Sequence, residues 1–391
     1  MNLEYVDLLA LVGLIAVCYV TVHVLHLVRW SRGRKLLEGG EAGVGVEPSV
    51  AVLFAARNEQ ERIASTVESL LAQEYGNLRI IAIDDRSEDA TGSIVERLAA
   101  AHDNLIHAHI EELPPQWLGK CHALHVGVRD QGGDQEWLLF TDADVTFSPD
   151  TVRRAVLAAE RRSLDHLVLF PTMEWATPLE ASLLGLFTMM LGIGFRFWKV
   201  ESNSLKSFVG IGAFNLVRTE IYHRFGGHER LRMEIVDDMK LGYLVKSVGG
   251  RSSAVYAQES LRVRWRNGAV DIVRGIIRSG FAGMNFSPWR AIYGVGGLTI
   301  AFLLPISLLL IHATPLSTIL SGAGVLLTMI ALALSMRTQK LPLAAALLFP
   351  LSTLLFILGL SLSAVRTLYR GGVEWRGRFY PLDELRRGSV R

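Results

Sequence analysis

Three acidic clusters carry the side chains most able to do chemistry: Asp84-Asp85, Thr141-Asp142-Ala143-Asp144 and Asp237-Asp238. Carboxylate oxygens are the ligands Mg2+ and Mn2+ prefer, and such a cation neutralises a diphosphate leaving group. On an alternating backbone Asp142 and Asp144 point the same way, so Asp144 reaches a metal while Asp142 reaches the metal or a ribose. The third pair suggests a different task. A carboxylate partly desolvated beside another is tuned upward and can serve as a general base, which makes Asp238 the base and Asp237 its tuning neighbour. The pair also suits the N-terminus of a helix over Met239–Ser247, a role that coexists with catalysis.

The elements around these acids read as an α/β domain. An apolar run from Ser49 to Ala55 ends at Ala56-Arg57-Asn58-Glu59, a helical pattern follows from Glu61 to Ala72, and a second strand from Leu78 to Ile83 delivers Asp84 and Asp85. Thr91–Ala101 reads as another helix, and Trp137–Phe140 as the buried strand before Asp142. Strand, helix and strand in this order give a mostly parallel, doubly wound sheet, which binds ligands at the carboxyl ends of its strands. The first two acidic clusters fall at such ends.

Composition sets the surroundings. The chain has 391 residues, 50% hydrophobic and 20% charged, with a mean hydropathy of +0.31, unlike a purely soluble protein. The run from Val6 to Val28 carries no charge after Asp7, long enough to span a bilayer as a helix. Glu4 and Asp7 lie at its start while Arg29, Arg32, Arg34 and Lys35 follow it, so the positive-inside rule places the next region in the cytoplasm. Ile292–Ala313, Leu316–Met336 and Leu341–Val365 read as three further spans. The expected organisation is an anchor over 1–35, a catalytic domain over 36–285, transmembrane helices over 286–366 and a basic tail over 367–391, in a multi-pass protein of the inner (plasma) membrane. Three C-terminal crossings would put the tail outside, against its Arg366, Arg370, Arg376, Arg378, Arg386, Arg387 and Arg391. The apolar stretch 181–198 is expected to be interfacial, since a crossing there would separate Asp237 from Asp144. Cys18 and Cys121 cannot build a disulfide framework. A net charge of +2, without basic runs interleaved with aromatics, argues against nucleic-acid binding.

At the level of motifs the chain resembles the family 2 glycosyltransferases. The resemblance covers roughly Pro48–Gly283 and rests on Ala55-Ala56-Arg57-Asn58-Glu59, Ile83-Asp84-Asp85-Arg86-Ser87-Glu88-Asp89, Gly119-Lys120, Thr141-Asp142-Ala143-Asp144 and Asp237-Asp238-Met239-Lys240-Leu241-Gly242. It implies a Rossmann-like GT-A fold that binds a nucleotide sugar with Mg2+ or Mn2+ and inverts the anomeric centre. By the same resemblance Asp85, beside Asp84, binds the nucleotide base with Arg57 and Glu59. Lys120 lies near the diphosphate, Asp144 with Asp142 holds the metal, and Asp238 is the base with Asp237 in place of the family's Glu. Many members carry Gln-x-x-Arg-Trp, of which only Arg264-Trp265 remains, with Leu261 at the Gln position; a long-polysaccharide synthase is therefore disfavoured. Arg264 and Arg266 suit diphosphate oxygens because guanidinium forks match them, although a basic membrane-facing surface explains them equally.

Leu113-Pro114-Pro115-Gln116-Trp117-Leu118-Gly119-Lys120 and Gly372–Tyr380 resemble the bacterial lipid-glycosylating branch that includes hopanoid-associated and carotenoid enzymes. The resulting expectation is a metal-dependent transfer of a hexose, glucose from UDP-glucose, to a hydroxyl of a lipid acceptor such as a carotenoid. A polyisoprenyl-phosphate, glycolipid or polysaccharide glycosyltransferase is the enzymatic alternative. A nucleotide-binding scaffold or transporter is the non-enzymatic one, disfavoured by the lack of acids within the apolar spans beyond Asp7 at the first one's start.

Overall fold

The computed structural model describes residues 3–34, 36 and 47–390; Lys35 and Arg391, counted above among the basic flanks, lie outside them. The elements in chain order are α1 (Leu3–Arg32), β1 (Val50–Ala56), α2 (Ile63–Leu71), β2 (Leu78–Asp85), α3 (Thr91–Ala99), β3 (Leu105–Ile110), α4 (Gly119–Gly127), β4 (Trp137–Phe140), β5 (Val145–Phe147), α5 (Thr151–Arg161), β6 (His166–Met173), α6 (Pro178–Gly194), β7 (Asn215–Arg218), α7 (Thr219–Phe225), α8 (Asp237–Ser247), β8 (Ser252–Val263), α9 (Ala269–Gly283), α10 (Pro288–Leu298), α11 (Leu304–Ile311), α12 (Pro315–Thr338), α13 (Phe349–Arg370), β9 (Gly372–Trp375), β10 (Arg378–Pro381) and α14 (Leu382–Gly388). They form two compact units: residues 34–174, 199–265 and 387–391, and residues 1–33, 175–198 and 266–386.

The first unit is built on an eight-stranded sheet of order β3-β2-β1-β4-β7-β6-β8-β5. Strands β3, β2, β1 and β4 are parallel. Their near-continuous apolar sequences suit burial on both faces; Val50 to Phe54 and Trp137 to Leu139 are almost wholly inaccessible. Chain order reverses at β1, which has β2 on one side and β4 on the other, and this switch point is where open α/β sheets bind ligands. Ala56 lies beside Asp84 in register, so the first two motifs share one edge.

Beyond β4 the sheet is mixed. β7 runs antiparallel to β4 and β6, β8 is parallel to β6, and the short β5 pairs antiparallel with β8. This half was absent from the sequence reading, and β6 to β8 in particular were not anticipated. Asp142 and Asp144 are not on a strand, yet both are half-buried while Thr141, Ala143 and Val145 between and beside them are buried. Both residues lie in the turn between β4 and β5, where buried Ala143 gives its carbonyl to Thr66 Oγ1 at 2.9 Å.

The second unit is helical. Among the described residues, five helices are long and apolar enough to cross a membrane: Leu3–Arg32, Pro178–Lys199, Pro288–Ile311, Pro315–Thr338 and Leu343–Arg370. Small residues allow close packing among them. A Cβ on Gly13 of α1 would stand 3.3 Å from Pro305, and one on Gly192 of α6 would stand 2.8 Å from Leu27. Thr314 and Ser317 form a reciprocal capping box at the start of α12.

Candidate active site

The site begins with two tied loops at the ends of β1 and β2. Asn58 and Arg86 take left-handed backbone conformations with φ of 56° and 57°, unusual for residues with a Cβ and concentrated at functional loops. The conformation is held from both sides: Asn58 N–H donates to Ser87 Oγ at 3.1 Å, and Glu88 N–H donates to Asn58 Oδ1 at 2.8 Å. Arg57 and Glu59 flank Asn58 and are partly buried. Glu59 N–H donates to Thr91 Oγ1 at 2.8 Å.

Asp84 and Asp85 are both buried, with distinct partners. Asp84 accepts Ser87 N–H at 3.0 Å and contacts His109 Nδ1 at 3.0 Å, so internal partners engage both oxygens. Asp85 pairs with Arg86, whose Nε donates to Oδ1 at 2.8 Å. Gly119, at the start of α4, is required by the same carboxylate: a Cβ there would lie 2.2 Å from Asp85 Oδ2. The Gly119-Lys120 dipeptide thus joins the β2 edge to the next part of the site.

Lys120 links the second and third acidic clusters. Its Nζ donates to Asp142 Oδ1 at 2.6 Å and stands 3.7 Å from Asp237 Oδ2. Burial opposes its charge, but Asp142, Asp237 and Asp238 outweigh it and hold the ammonium well above its ordinary pKa. One cation therefore serves three carboxylates. Asp237 is pushed up by burial, with Lys120 opposing and Asp142 adding to the rise. Asp238 rises to about 7, again chiefly by burial and then by the charge of Asp237.

Backbone donors fix the geometry of Asp238. Gly212 N–H donates to Oδ2 at 2.8 Å and Met239 N–H to Oδ1 at 2.8 Å, the latter within the first turn of α8. Each oxygen keeps a second lone pair for a proton. The Gly210-Ile211-Gly212 segment is explained by proximity to these acids. A Cβ on Gly210 would stand 1.7 Å from the Asp238 carbonyl oxygen, and one on Gly212 would stand 2.2 Å from Asp142 Oδ2. The protein's own Asp142 and Asp238 fill the space beside these two glycines.

Asp144 completes the central turn. Its carboxyl is pushed up to about 6 by burial and then by Asp142 and Glu59, while Arg62 Nη1 stands 3.5 Å from Oδ2 and donates to the Arg264 carbonyl at 3.0 Å. Arg264 follows β8 and its backbone joins the site through Arg62. Arg266 belongs to the helical unit, where its guanidinium approaches Gly275. Among the described residues no group of three or more His, Cys, Asp or Glu forms a complete metal cage. The donor set still fits a hard cation. Asp142 and Asp144 are crowded carboxylates whose mutual repulsion a divalent ion would relieve, and Mg2+ commonly takes one or two carboxylates and completes its shell with phosphate and water.

Sequence reasoning missed Arg62, His109 and His228. A small pocket is lined by Lys120, Phe140, Thr141, Gly212, Asn215, His228, Asp237 and Asp238, among others. His228 is fully buried, its Nδ1 lies 2.8 Å from the Tyr222 hydroxyl, and its Nε2 has no hydrogen-bond partner among the described residues. Burial, with Lys120 nearby, lowers its pKa to about 3, so the ring is neutral. The available signal was Gly226-Gly227, whose φ values of 88° and 58° set the turn that introduces it.

Comparison with known proteins gives a consistent context. Residues 51–224 match the model of glycosyl transferase family 2. A 4,4'-diaponeurosporenoate glycosyltransferase of Staphylococcus aureus strain USA300 is 24% identical over 361 residues, spanning 86% of this chain and 89% of that protein. The solved structure of a mannosyltransferase, PcManGT from Pyrobaculum calidifontis in complex with GDP-Man and Mn2+, superposes with a TM-score of 0.53 at 18% identity, covering 93% of this chain and 99% of that one. That likeness shows the fold, a GT-A sheet.

Proposed function

With residues 51–224 this chain is a family 2 glycosyltransferase, and from that premise we propose that it moves a hexose from a nucleotide sugar to a hydroxyl on a lipid at a membrane surface. The carrying observation is the arrangement in which Lys120 bridges Asp142 and Asp237 beside the buried Asp238. A diphosphate docking near Asp142 and Asp144 meets Lys120 as a counter-charge, and Asp85 with Arg57 and Glu59 takes the nucleoside. A divalent cation held by Asp144 and Asp142 would supply further neutralisation of the diphosphate.

The chemical step then follows from Asp238. The acceptor hydroxyl oxygen forms a bond to the anomeric carbon while the bond from that carbon to the diphosphate oxygen breaks, inverting the centre. The hydroxyl proton passes to Asp238, and the nucleoside diphosphate departs with the bonding electrons. A base with a pKa near the working pH suits this transfer, for which general-base catalysis contributes ~10²–10⁴-fold. UDP-glucose as donor and a carotenoid as acceptor are the specific assignments. The named carotenoid enzyme at 24% identity supports the acceptor class, and the apolar helices support membrane residence.

The test is release of nucleoside diphosphate from a panel of nucleotide sugars by detergent-purified protein with lipid extract, with and without Mn2+ or Mg2+. Metal- and lipid-dependent release that is lost in both Asp144→Ala and Asp238→Asn supports the proposal. Wild-type release by both variants overturns the site.

A further inference from the structure

We infer that only α1, the α10–α11 segment and α12 cross the membrane, whereas α6 and α13 lie along the leaflet on the catalytic side and return the C-terminus to the catalytic compartment. The inference rests on the membrane residence proposed above and assigns the bilayer's contacts helix by helix.

Chain connectivity supplies the first constraint. The residues before and after α6 belong to one β-sheet unit: Glu174 N–H donates to the Val263 carbonyl at 2.9 Å, and Lys246 Nζ donates to the Val200 carbonyl at 2.9 Å. A folded sheet cannot straddle a bilayer whose core leaves backbone groups no water, so α6 leaves and re-enters the same side. The end of the chain is constrained in the same way. Lys240 Nζ donates to the Val390 carbonyl at 2.5 Å and Val390 N–H donates to Glu234 Oε1, all in buried surroundings of that unit. The number of crossings between Trp265 and Val390 is therefore even, yet three apolar helices lie in that interval.

Packing within the helical unit shows which one does not cross. The hydroxyl of Thr314, in the turn between α11 and α12, donates to Asp7 near the start of α1, and Val6 and Ala10 pack with Leu308. That turn therefore lies at the far end of α1. At the opposite ends, Leu27 of α1 meets Gly192 of α6, and Met336 of α12 meets Gly185 of α6. Helices α1, α11 and α12 form the spanning bundle, with α6 packed at the end opposite the Thr314 turn.

α13 packs most extensively against α9 and α6, and it also meets α10 and the Thr299–Leu303 stretch. In its first half Ser352 Oγ accepts from Ser182 Oγ at 3.0 Å, and Phe356 and Phe187 of α6 are in ring contact. In its second half a Cβ on Gly359 would touch Ile276 at 3.0 Å, and Ser363 Oγ accepts Phe281 N–H at 2.9 Å, both from α9. α9 carries Asp271, Arg274 and Arg278 in 15 residues, charges that are costly at the bilayer centre, which puts α9 and its partner α13 at the level of the headgroups. The outward face of α13, with Leu351, Leu354, Leu358 and Val365 exposed, then meets lipid as a monotopic helix does.

Charge distribution agrees independently. With three crossings, Arg29, Arg32, Arg34, Arg290, Arg337, Lys340, Arg366, Arg370, Arg376 and Arg378 all fall on the catalytic side. The opposite side has Glu4, Asp7 and His312-Ala313-Thr314 with no Lys or Arg among the described residues. The basic tail thus obeys the positive-inside rule.

Single cysteines test the arrangement in the full chain, in a Cys18→Ser, Cys121→Ala background that retains activity. His312→Cys, Lys340→Cys and Tyr369→Cys are treated with a membrane-impermeant maleimide, in intact cells and after permeabilisation. The expected result is labelling of position 312 in intact cells and of positions 340 and 369 only after permeabilisation. Labelling of position 369 in intact cells alongside position 312 would show α13 crossing and overturn the inference while leaving membrane residence intact. Release of the whole chain by alkaline carbonate would overturn both.

Discussion

Asp84-Asp85 and Asp237-Asp238 are chemically the same dipeptide in very different settings. The first pair has close partners of its own: Arg86 next in sequence, and His109 on the adjacent strand β3. The second shares a single ammonium, Lys120, with Asp142, and burial pushes both of its carboxyls upward. A carboxylate whose oxygens are held by partners of its own suits recognition. One that is buried and incompletely compensated can exchange a proton near neutral pH. The comparison separates binding from chemistry within one site.

The largest expected effect comes from disturbing the scaffold of the second pair. Gly210→Ala forces a Cβ against the Asp238 carbonyl oxygen and displaces the loop that supplies the Gly212 N–H. Misplacement of a reacting group by about 1 Å can cost ~10²-fold, so kcat should fall on that order while donor affinity changes little. Equal losses in donor affinity and kcat, measured by calorimetry and product release, would break the separation.

An intermediate effect is expected at the first pair. Asp85→Asn removes a charged acceptor, worth ~1.5–3 kcal/mol in a typical hydrogen bond, so donor affinity should weaken about 10- to 100-fold with kcat nearly intact. Donor titration alongside saturating turnover checks it. A kcat loss matching that of an Asp238 variant would make the two pairs functionally alike.

The smallest effect is a displacement of the pH profile. Lys120→Met removes a charge that lowers the Asp238 pKa, so the acidic limb of kcat/KM should move to higher pH by on the order of one unit. An unmoved limb would mean that the limb belongs to another group.

How much of this was legible in the sequence follows physical lines. The parallel half of the sheet could be read because β1, β2 and β4 are continuous apolar runs that end in polar clusters, and the α/β fold expected from them is present. The mixed half could not, since β5 has only three residues and β8 is a long strand whose register with β6 shifts. The acids were visible as residue types, but their sharing of Lys120 was not, because Lys120 and Asp237 are far apart in the chain. Gly210 and Gly212 looked like a common loop until the Asp142 and Asp238 atoms that fill their missing side chains were placed. The paradox of the basic tail arose because hydropathy reports that α13 is apolar without reporting that α6 and α9 cover one of its faces.

The central claim is that Asp238 is the proton acceptor, and the pH dependence of kcat/KM for the wild type and Asp238→Asn tests it most directly. The account predicts a wild-type rate falling about tenfold per pH unit below an apparent pKa near 7, as protonation removes the base. It further predicts a variant that is slow at all pH values, lacks that limb and binds donor normally. A variant retaining the same limb at near wild-type rates would contradict it.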